Sequence, residues 1–392
     1  MNAGSLSASN SIPKQNRKFR IEFVTDIGKL PELASKWEQL NHFASDHDAP
    51  FFQSFAWINH IAQTRNRRAD PHFRTFIATV YDDKELIGIW PLALQRTNGI
   101  WLARNLDDPF GQFAGVVFRS AEDITEAVPD ILNALRKSAD GARIEFVSSG
   151  SPLHVALLKH GAYPVSTLPS LSVDFRPFTN FNDYLKTINS KTRKNLRNLR
   201  NRLYKENSVS HFVQVTPQEV QTAIDYAFKE RVNWTKRNAR TSPAFQSSHF
   251  SEIVGTLTKA EHINTVAFAL KSGDDYIAAQ WGIFYANRYY AYISATNPKY
   301  LEFSPGRLHL GMVLECCHAR GIEVAELMPP VAPYKLEWSN TQKDLVTMTL
   351  AFNTKGHIAS LVLDTALPAL RRASRKLPNS IRKPLINLLN KN

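Results

Sequence analysis

The sequence predicts an α/β protein built from two tandem units, and two observations carry that expectation. The first is a repeat. Ile77-Ala78, an Asp82-Asp83 turn, Leu86-Ile87-Gly88 and Trp90 return as Phe268-Ala269, a Gly273-Asp274 turn, Ile277-Ala278-Ala279 and Trp281, at a constant offset of 191 residues. The alternation and turn chemistry of both copies read as hairpins. The second observation is the order that follows each hairpin. An apolar strand (Phe113 to Phe118; Arg288 to Ser294) leads to a helix (Val128 to Ser138; Arg307 to Arg320), a glycine, and a further strand (Ala142 to Val147; Ile322 to Leu327). Such an order repeated along one chain is the pattern of two α/β units.

The copies differ at the helix entrance. In the second, Tyr289-Tyr290-Ala291-Tyr292-Ile293-Ser294 reads as a strand that delivers the chain to Ser304-Pro305-Gly306-Arg307. Leu308, Leu310, Met312, Val313, Leu314 and Cys317 then supply the buried side of a helix ending at Gly321. The first N–H groups of a helix lack intrahelical acceptors and sit at the positive end of its dipole, so a glycine-opened turn there can hold a phosphate. The same residues also suit a turn with no ligand, because one glycine is a weaker signal than a glycine-rich phosphate motif. The matching stretch of the first copy, Glu126-Ala127-Val128-Pro129, offers no glycine, so a phosphate ligand is expected in the second half.

At 392 residues and 43% hydrophobic content, the chain holds enough apolar surface for two moderate cores. No run approaches the roughly 18 apolar residues of a membrane-spanning helix. Met1 to Arg20 is polar and lacks the apolar stretch of a signal peptide, so a cytoplasmic protein with a disordered first segment is expected. Cys316 and Cys317, the only cysteines, are adjacent on the expected helix with side chains about 100° apart. That excludes an ordinary disulfide and a cysteine zinc site, leaving core packing. The twelve histidines show no ligand spacing, so no metal is expected, and His309 is expected on the helix surface rather than as a base.

The net charge of +13 is concentrated in two places. Between Leu185 and Lys205, Leu185, Ile188, Leu196, Leu199 and Leu203 recur at helical spacing, and Lys191, Arg193, Lys194, Arg197, Arg200, Arg202 and Lys205 fill the rest. This predicts one basic amphipathic helix. It is either a solvated face or a contact for an anionic substrate, a membrane surface or nucleic acid. No RNP-type strand, zinc finger or helix-turn-helix spacing accompanies it, so nucleic acid is the least expected partner. The second cluster, Leu361 to Leu389, sets Arg371, Arg372, Arg375, Lys376, Arg382 and Lys383 among Leu, Ile and Ala, with Pro368, Pro378 and Pro384 expected to cut it into short helices. It suits either a peripheral contact with anionic lipid or a loosely packed cationic tail.

Several ordered segments resemble known proteins. Pro50-Phe51-Phe52-Gln53-Ser54 with Trp57, Ile87-Gly88 with Pro91-Leu92, Ser190 with Arg193, Arg197 and Arg200, Ser304-Pro305-Gly306, and Tyr334-Lys335 with Trp338 are similar, in this order, to elements of the CelD/BcsL-type branch of the GNAT acyltransferase superfamily, related to the Fem-type transferases. The resemblance spans roughly Phe23 to Phe352. It implies tandem GNAT-like units, each a mixed, mostly antiparallel sheet flanked by helices. The expected division is a disordered 1–20, a GNAT-like domain over 21–175, an acyltransferase domain over 176–355, and a basic helical tail over 356–392. One departure is Glu326, where the family pattern implies an Asp.

The implied activity is transfer of an acyl group from acetyl-CoA or another acyl-CoA to an amine or hydroxyl, in cellulose or other exopolysaccharide and cell-envelope biosynthesis. Ile293 and Ser294 are then expected to hold the pantetheine arm and the oxyanion, and Ser304, Gly306 and Arg307 the pyrophosphate. Tyr334 is the candidate acid toward the thiolate, Lys335 a candidate oxyanion or acceptor-phosphate partner, and Glu302 and Glu337 candidate bases. Arg193, Arg197 and Arg200 are candidates for an anionic or polysaccharide-related acceptor. Plain readings stand beside these: Tyr334 and Trp338 lie four apart and can simply pack one helix face. Two other functions fit the same residues, a Fem-like transferase using aminoacyl-tRNA and a non-catalytic scaffold of a polysaccharide-synthesis complex.

Overall fold

The computed structural model describes residues 17–44, 50–67, 70–207, 210–238 and 242–374. The first half runs β1 (Arg20–Val24), α1 (Leu30–Ala44), α2 (Phe55–Asn66), β2 (Phe73–Thr75), β3 (Ile77–Asp82), β4 (Glu85–Trp90), β5 (Leu92–Thr97), β6 (Ile100–Asn105), β7 (Val117–Phe118), α3 (Ala121–Leu135), β8 (Gly141–Ser148), α4 (Pro152–Lys159) and β9 (Tyr163–Asp174). After α5 (Phe181–Thr187) and α6 (Ser190–Glu206) the second half repeats that order. It comprises β10 (Ser210–Gln214), α7 (Val220–Arg237), α8 (Pro243–Gln246), α9 (Ser248–Thr256), β11 (Asn264–Ser272), β12 (Asp275–Tyr285), β13 (Arg288–Thr296), α10 (Pro305–Ala319), β14 (Val324–Glu326), α11 (Pro333–Trp338) and β15 (Thr341–Ala351). The described chain closes with α12 (Thr354–Ser360), a π-helical turn (Leu361–Ala366) and α13 (Leu367–Ser374).

The repeated hairpins are β3–β4 and β11–β12. Where β12 runs unbroken past Trp281 with a register shift at Gly282, the first half has Pro91, and the strand divides into β4 and β5, which enter different sheets. Proline has no N–H for the ladder, so the division falls where it does for a covalent reason. One sheet has four strands in the order β1-β3-β4-β7. The other has eleven, β10-β11-β12-β13-β14-β9-β15-β8-β6-β5-β2. At its centre the last strands of the halves change places: β9 pairs with β14, β15 pairs with β8, and β9 and β15 pair with each other from Ser172↔Thr341 to Tyr163↔Thr349. The halves therefore share an element order and also one continuous sheet. Each has an apolar core, and a third, rich in aromatic rings (Phe51, Phe52, Trp57, Trp281, Tyr290, Tyr292), fills the seam between them.

Four expectations are corrected here. The strand expected over Phe113 to Phe118 is shorter: only Val117–Phe118 (β7) pairs beside the first hairpin, against β4, while Phe113 is held by Gln53 Nε2 on its carbonyl at 2.8 Å, and the strand that follows the hairpin in the larger sheet is β6, paired with β5. The helix expected from Val128 begins at Ala121, because Ser120 Oγ caps the Asp123 N–H at 3.1 Å, and Pro129 lies inside it. The basic helix is two helices: Ile188 is extended, and Asn189 caps the second by accepting from Lys191 N–H at 2.9 Å. Pro368 does not break the C-terminal helix; the widened π turn precedes it, in the place where a regular helix would want the N–H that proline lacks. Most of the 1–20 segment, and Pro378, Pro384, Arg375, Lys376, Arg382 and Lys383, lie outside the described residues.

Candidate active site

β13 and β14 run parallel but pair only from Arg288–Tyr290 to Val324–Glu326. Beyond Tyr290 they part, and the backbone of Ala291 to Thr296 has a strand partner on its β12 side alone. Parallel strands that separate in this way leave unpaired peptide groups facing a gap. Two cavities occupy it. One, of about 600 Å³, is lined by Ser294, Thr296, Ser304, Gly306, Arg307 and the N-terminus of α10. The other, of about 400 Å³, is lined by residues of both halves, Phe110, Glu145 and Phe146 from the first and Trp234, Tyr292, Ile293 and Lys335 from the second. They share the walls Arg231, Trp234, Gln280, Ser294 and Tyr334.

The entrance of α10 is built as the sequence suggests, with one restriction. Ser304 adopts φ 49° and its carbonyl accepts from Arg307 N–H at 3.0 Å and Leu308 N–H at 3.4 Å. Pro305 has no N–H, so the Gly306 N–H is left for a ligand. A Cβ on Gly306 would meet Thr296 Cγ2 at 3.3 Å, so the glycine keeps that wall open. Arg307 is held by Glu337, Nε to Oε2 2.8 Å, and its backbone carbonyl accepts from Trp338 Nε1 at 3.2 Å. Gly311 makes room for that indole, since a Cβ there would come within 2.4 Å of Trp338.

Tyr334 stands where the cavities meet, and Lys335 lines the smaller one. α11 carries them, and Lys335 Nζ donates to the carbonyls of Met328 at 2.7 Å and Pro330 at 3.1 Å. Burial, and then the nearby Arg231, lower the Lys335 amine to about 8. Met328, two residues past the end of β14, takes φ 64°, and a cis peptide joins Pro329 to Pro330.

The opposite wall comes from β8. Against β15 its register shifts so that Glu145 and Phe146 together oppose Thr347, and Phe146 has φ 64°. Neighbouring strand residues ordinarily point to opposite faces; a bulge with one left-handed residue turns both toward the same cavity. Arg143 Nε holds Glu145 Oε1 at 3.1 Å, and burial raises the Glu145 carboxyl above the ordinary carboxylate range. Among the described residues Glu145 is the one carboxylate in the wall of this cavity, amid Phe110, Phe146, Phe250, Tyr292 and the Trp234 ring over which Arg231 lies at 4.4 Å.

Of the residues singled out from the sequence, Ile293, Ser294, Ser304, Gly306, Arg307, Tyr334, Lys335 and Glu337 are brought to the two cavities. Glu302 is not: its carboxylate is 65% exposed and pairs with Arg202 at 3.2 Å. Nor are Arg193, Arg197 and Arg200. They ride on α6, and Arg200 lines a separate groove with Glu315 against the far side of α10. His309 is buried rather than on the surface, and burial lowers it to about 3, so it is neutral. Glu326 is a buried ion-pair centre, 2.8 Å from Arg288 and 3.5 Å from Lys343. Arg231, Trp234, Glu145 and Phe146 carry no sequence signal of their own; α7, packed on β12 and β13, supplies the first two, and the strand exchange with its bulge supplies the others. Among the described residues no group of His, Cys, Asp and Glu is arranged to hold a metal.

Residues 190–336 match the family model described as an acetyltransferase (GNAT) domain. The comparison with curated proteins finds no match. Among solved structures the chain is similar to FemX, with TM-score 0.59 and 11% identity over 84% of this chain and 98% of that one. It is also similar to a conserved protein of unknown function from Bacteroides thetaiotaomicron VPI-5482 (TM-score 0.55, 10% identity, 84% of this chain and 100% of that one). L-PGS from Bacillus licheniformis gives TM-score 0.50 and 13% identity over 83% of this chain and 95% of that one. At such identities the likeness is one of fold. The match to the acetyltransferase (GNAT) domain model lies in the second half of a mixed α/β architecture.

Proposed function

We propose that the chain transfers an acyl group from a thioester, acetyl-CoA or another acyl-CoA, to an amine or hydroxyl held in the cavity between the halves. The observation that carries this reading is the parting of β13 from β14 into two cavities with common walls. The larger, at the N-terminus of α10, suits the donor, with the Gly306 N–H and Arg307 toward its phosphates. The thioester carbonyl would lie against the unpaired edge at Ile293 and Ser294, where a backbone N–H can stabilise the oxyanion. The acceptor would enter beside Glu145. As its nitrogen or oxygen attacks the carbonyl carbon, one proton passes to the Glu145 carboxylate; the C–S bond breaks with its electron pair on sulfur, and Tyr334 or protonated Lys335 supplies a proton to the thiolate. A role in exopolysaccharide or cell-envelope biosynthesis rests on the CelD/BcsL-type resemblance of the sequence.

One observation favours a second reading. A single free N–H at Gly306 is slight purchase for a pyrophosphate, and an aminoacyl ester on tRNA would not require it. Calorimetric titration of the purified protein with acetyl-CoA, coenzyme A and aminoacyl-tRNA tests both readings. Saturable binding of acetyl-CoA supports the first, binding of aminoacyl-tRNA alone the second, and binding of neither defeats both in favour of a scaffold.

A further inference from the structure

The helical stretch from Thr354 to Ser374 shows its apolar side to solvent. Its inner side is fixed to the protein: Gly356, Ala359 and Ser360 are buried, and Asp364 pairs with Arg143 and accepts from the Tyr163 hydroxyl at 3.3 Å. The outer side comprises Ile358, Leu361, Val362, Thr365, Ala366, Ala369, Leu370 and Ala373, at successive helical spacings of three, one, three, one, three, one and three. Ile358 is 53% exposed, Leu361 64%, Val362 46% and Leu370 53%. An amphipathic helix ordinarily buries such a stripe. Here the polar Asp364 points inward and the apolar residues point out, so the stripe requires something outside the described fold to cover it.

The charges indicate what that is. After Asp364 the sequence holds no Asp or Glu, while Arg371, Arg372, Arg375, Lys376, Arg382, Lys383 and Lys391 follow. A second copy of a chain with net charge +13 would bring these clusters together, and the sequence after Asp364, basic throughout, offers no acidic residue to pair with Arg372. An anionic lipid surface meets both requirements: apolar side chains enter the interface and cations face the headgroups. We propose that Ile358, Leu361, Val362 and Leu370 form a docking face for an anionic membrane. Among the described residues no helix is long and apolar enough to cross one, so the contact is peripheral. Because Asp364 holds Arg143, and Arg143 holds Glu145, the docked helix is tied directly to the wall of the cavity between the halves.

Flotation with phosphatidylcholine vesicles, with and without phosphatidylglycerol, tests this on the full chain. The parent is expected to float with the anionic vesicles, less so as salt rises. Leu361→Gln with Leu370→Gln, which keeps helix propensity, should weaken partition by more than about tenfold. Arg372→Gln with Arg375→Gln should weaken it by roughly fivefold per charge and flatten the salt dependence. Circular dichroism of each variant establishes that it is folded. Absence of parent binding to the anionic vesicles, or equal binding by a folded Leu361→Gln, Leu370→Gln variant, overturns the proposal. So does a parent dimer in sedimentation equilibrium that this double variant converts to monomer.

Discussion

Lys335 Nζ lies 2.7 Å from the carbonyl oxygen of Met328, the left-handed residue two positions beyond β14. The bond ties the short helix α11 to the point where the sheet opens, and it holds Lys335 in the wall of the cavity between the halves. The Lys335 position is therefore set by β14 as much as by its own helix. Burial and the charge of Arg231 hold its amine near 8 instead of 10.5.

Transfer should decline as pH rises through about 8, as Lys335 loses the proton it offers to the oxyanion or thiolate. Lys335→Met should lower kcat by about 10²–10³ and abolish that alkaline limb. An unchanged limb in the variant would assign it to another group. The sign for stability is opposite. The unfolded chain, with this lysine near 10.5, binds more protons than the folded one between about 8 and 10.5, so the Lys335 contribution to stability rises with pH across that window. Denaturant titrations of parent and Lys335→Met at pH values spanning the window check it.

Glu145→Gln keeps the size and the Arg143 contact of the side chain but removes its capacity to accept a proton. Transfer should fall by about 10²–10⁴ while calorimetric acetyl-CoA binding is unchanged. In the parent, the acid limb of kcat should lie above the ordinary carboxylate range, following the direction in which burial moves this group. Equal turnover by the variant would remove Glu145 from the chemistry.

Gly306→Val places a branched side chain where even a Cβ touches Thr296 at 3.3 Å. Donor affinity should drop by more than about tenfold, the loss of one charge-assisted contact of about 1.5–3 kcal/mol, with little change in thermal stability. Undiminished acetyl-CoA affinity would show that the α10 entrance does not hold the donor.

Arg193, Arg197 and Arg200 stand apart from both cavities. Replacing all three with Gln should leave acetyl-CoA affinity and turnover of a small acceptor within about twofold, well below the 1.4 kcal/mol of a tenfold change. A larger loss in steady-state kinetics would return the helix to the substrate path.

The hairpin between β12 and β13 turns through Ala286 and Asn287 at φ 47° and 56°. Asn tolerates this region; Ala does so at a cost of roughly 1 kcal/mol. Ala286→Gly should therefore raise stability by about 0.5–1 kcal/mol in denaturant unfolding, without effect on ligand binding, because the turn is exposed.

The sequence by itself determined what local chemistry dictates. Alternation and turn residues placed both hairpins, the offset of 191 residues exposed the repeat, and Ser304-Pro305-Gly306 marked a helix start with one N–H to spare. Tyr334 and Lys335 came from a resemblance, and the fold brings both to the cavity between the halves. Local signals fail where the deciding interaction is distant. Glu302 looked available but meets Arg202 across 100 positions of sequence, and His309 looked exposed but is buried, with the Phe212 ring against it and the Phe268 backbone as its hydrogen-bond partner. Glu145 could not be read at all. It faces the cavity only because β15 crosses to β8 and the pairing there leaves two residues opposite Thr347. That register is set by strands about 200 residues apart, through the packing of one sheet shared by both halves, and no window along the chain contains both partners.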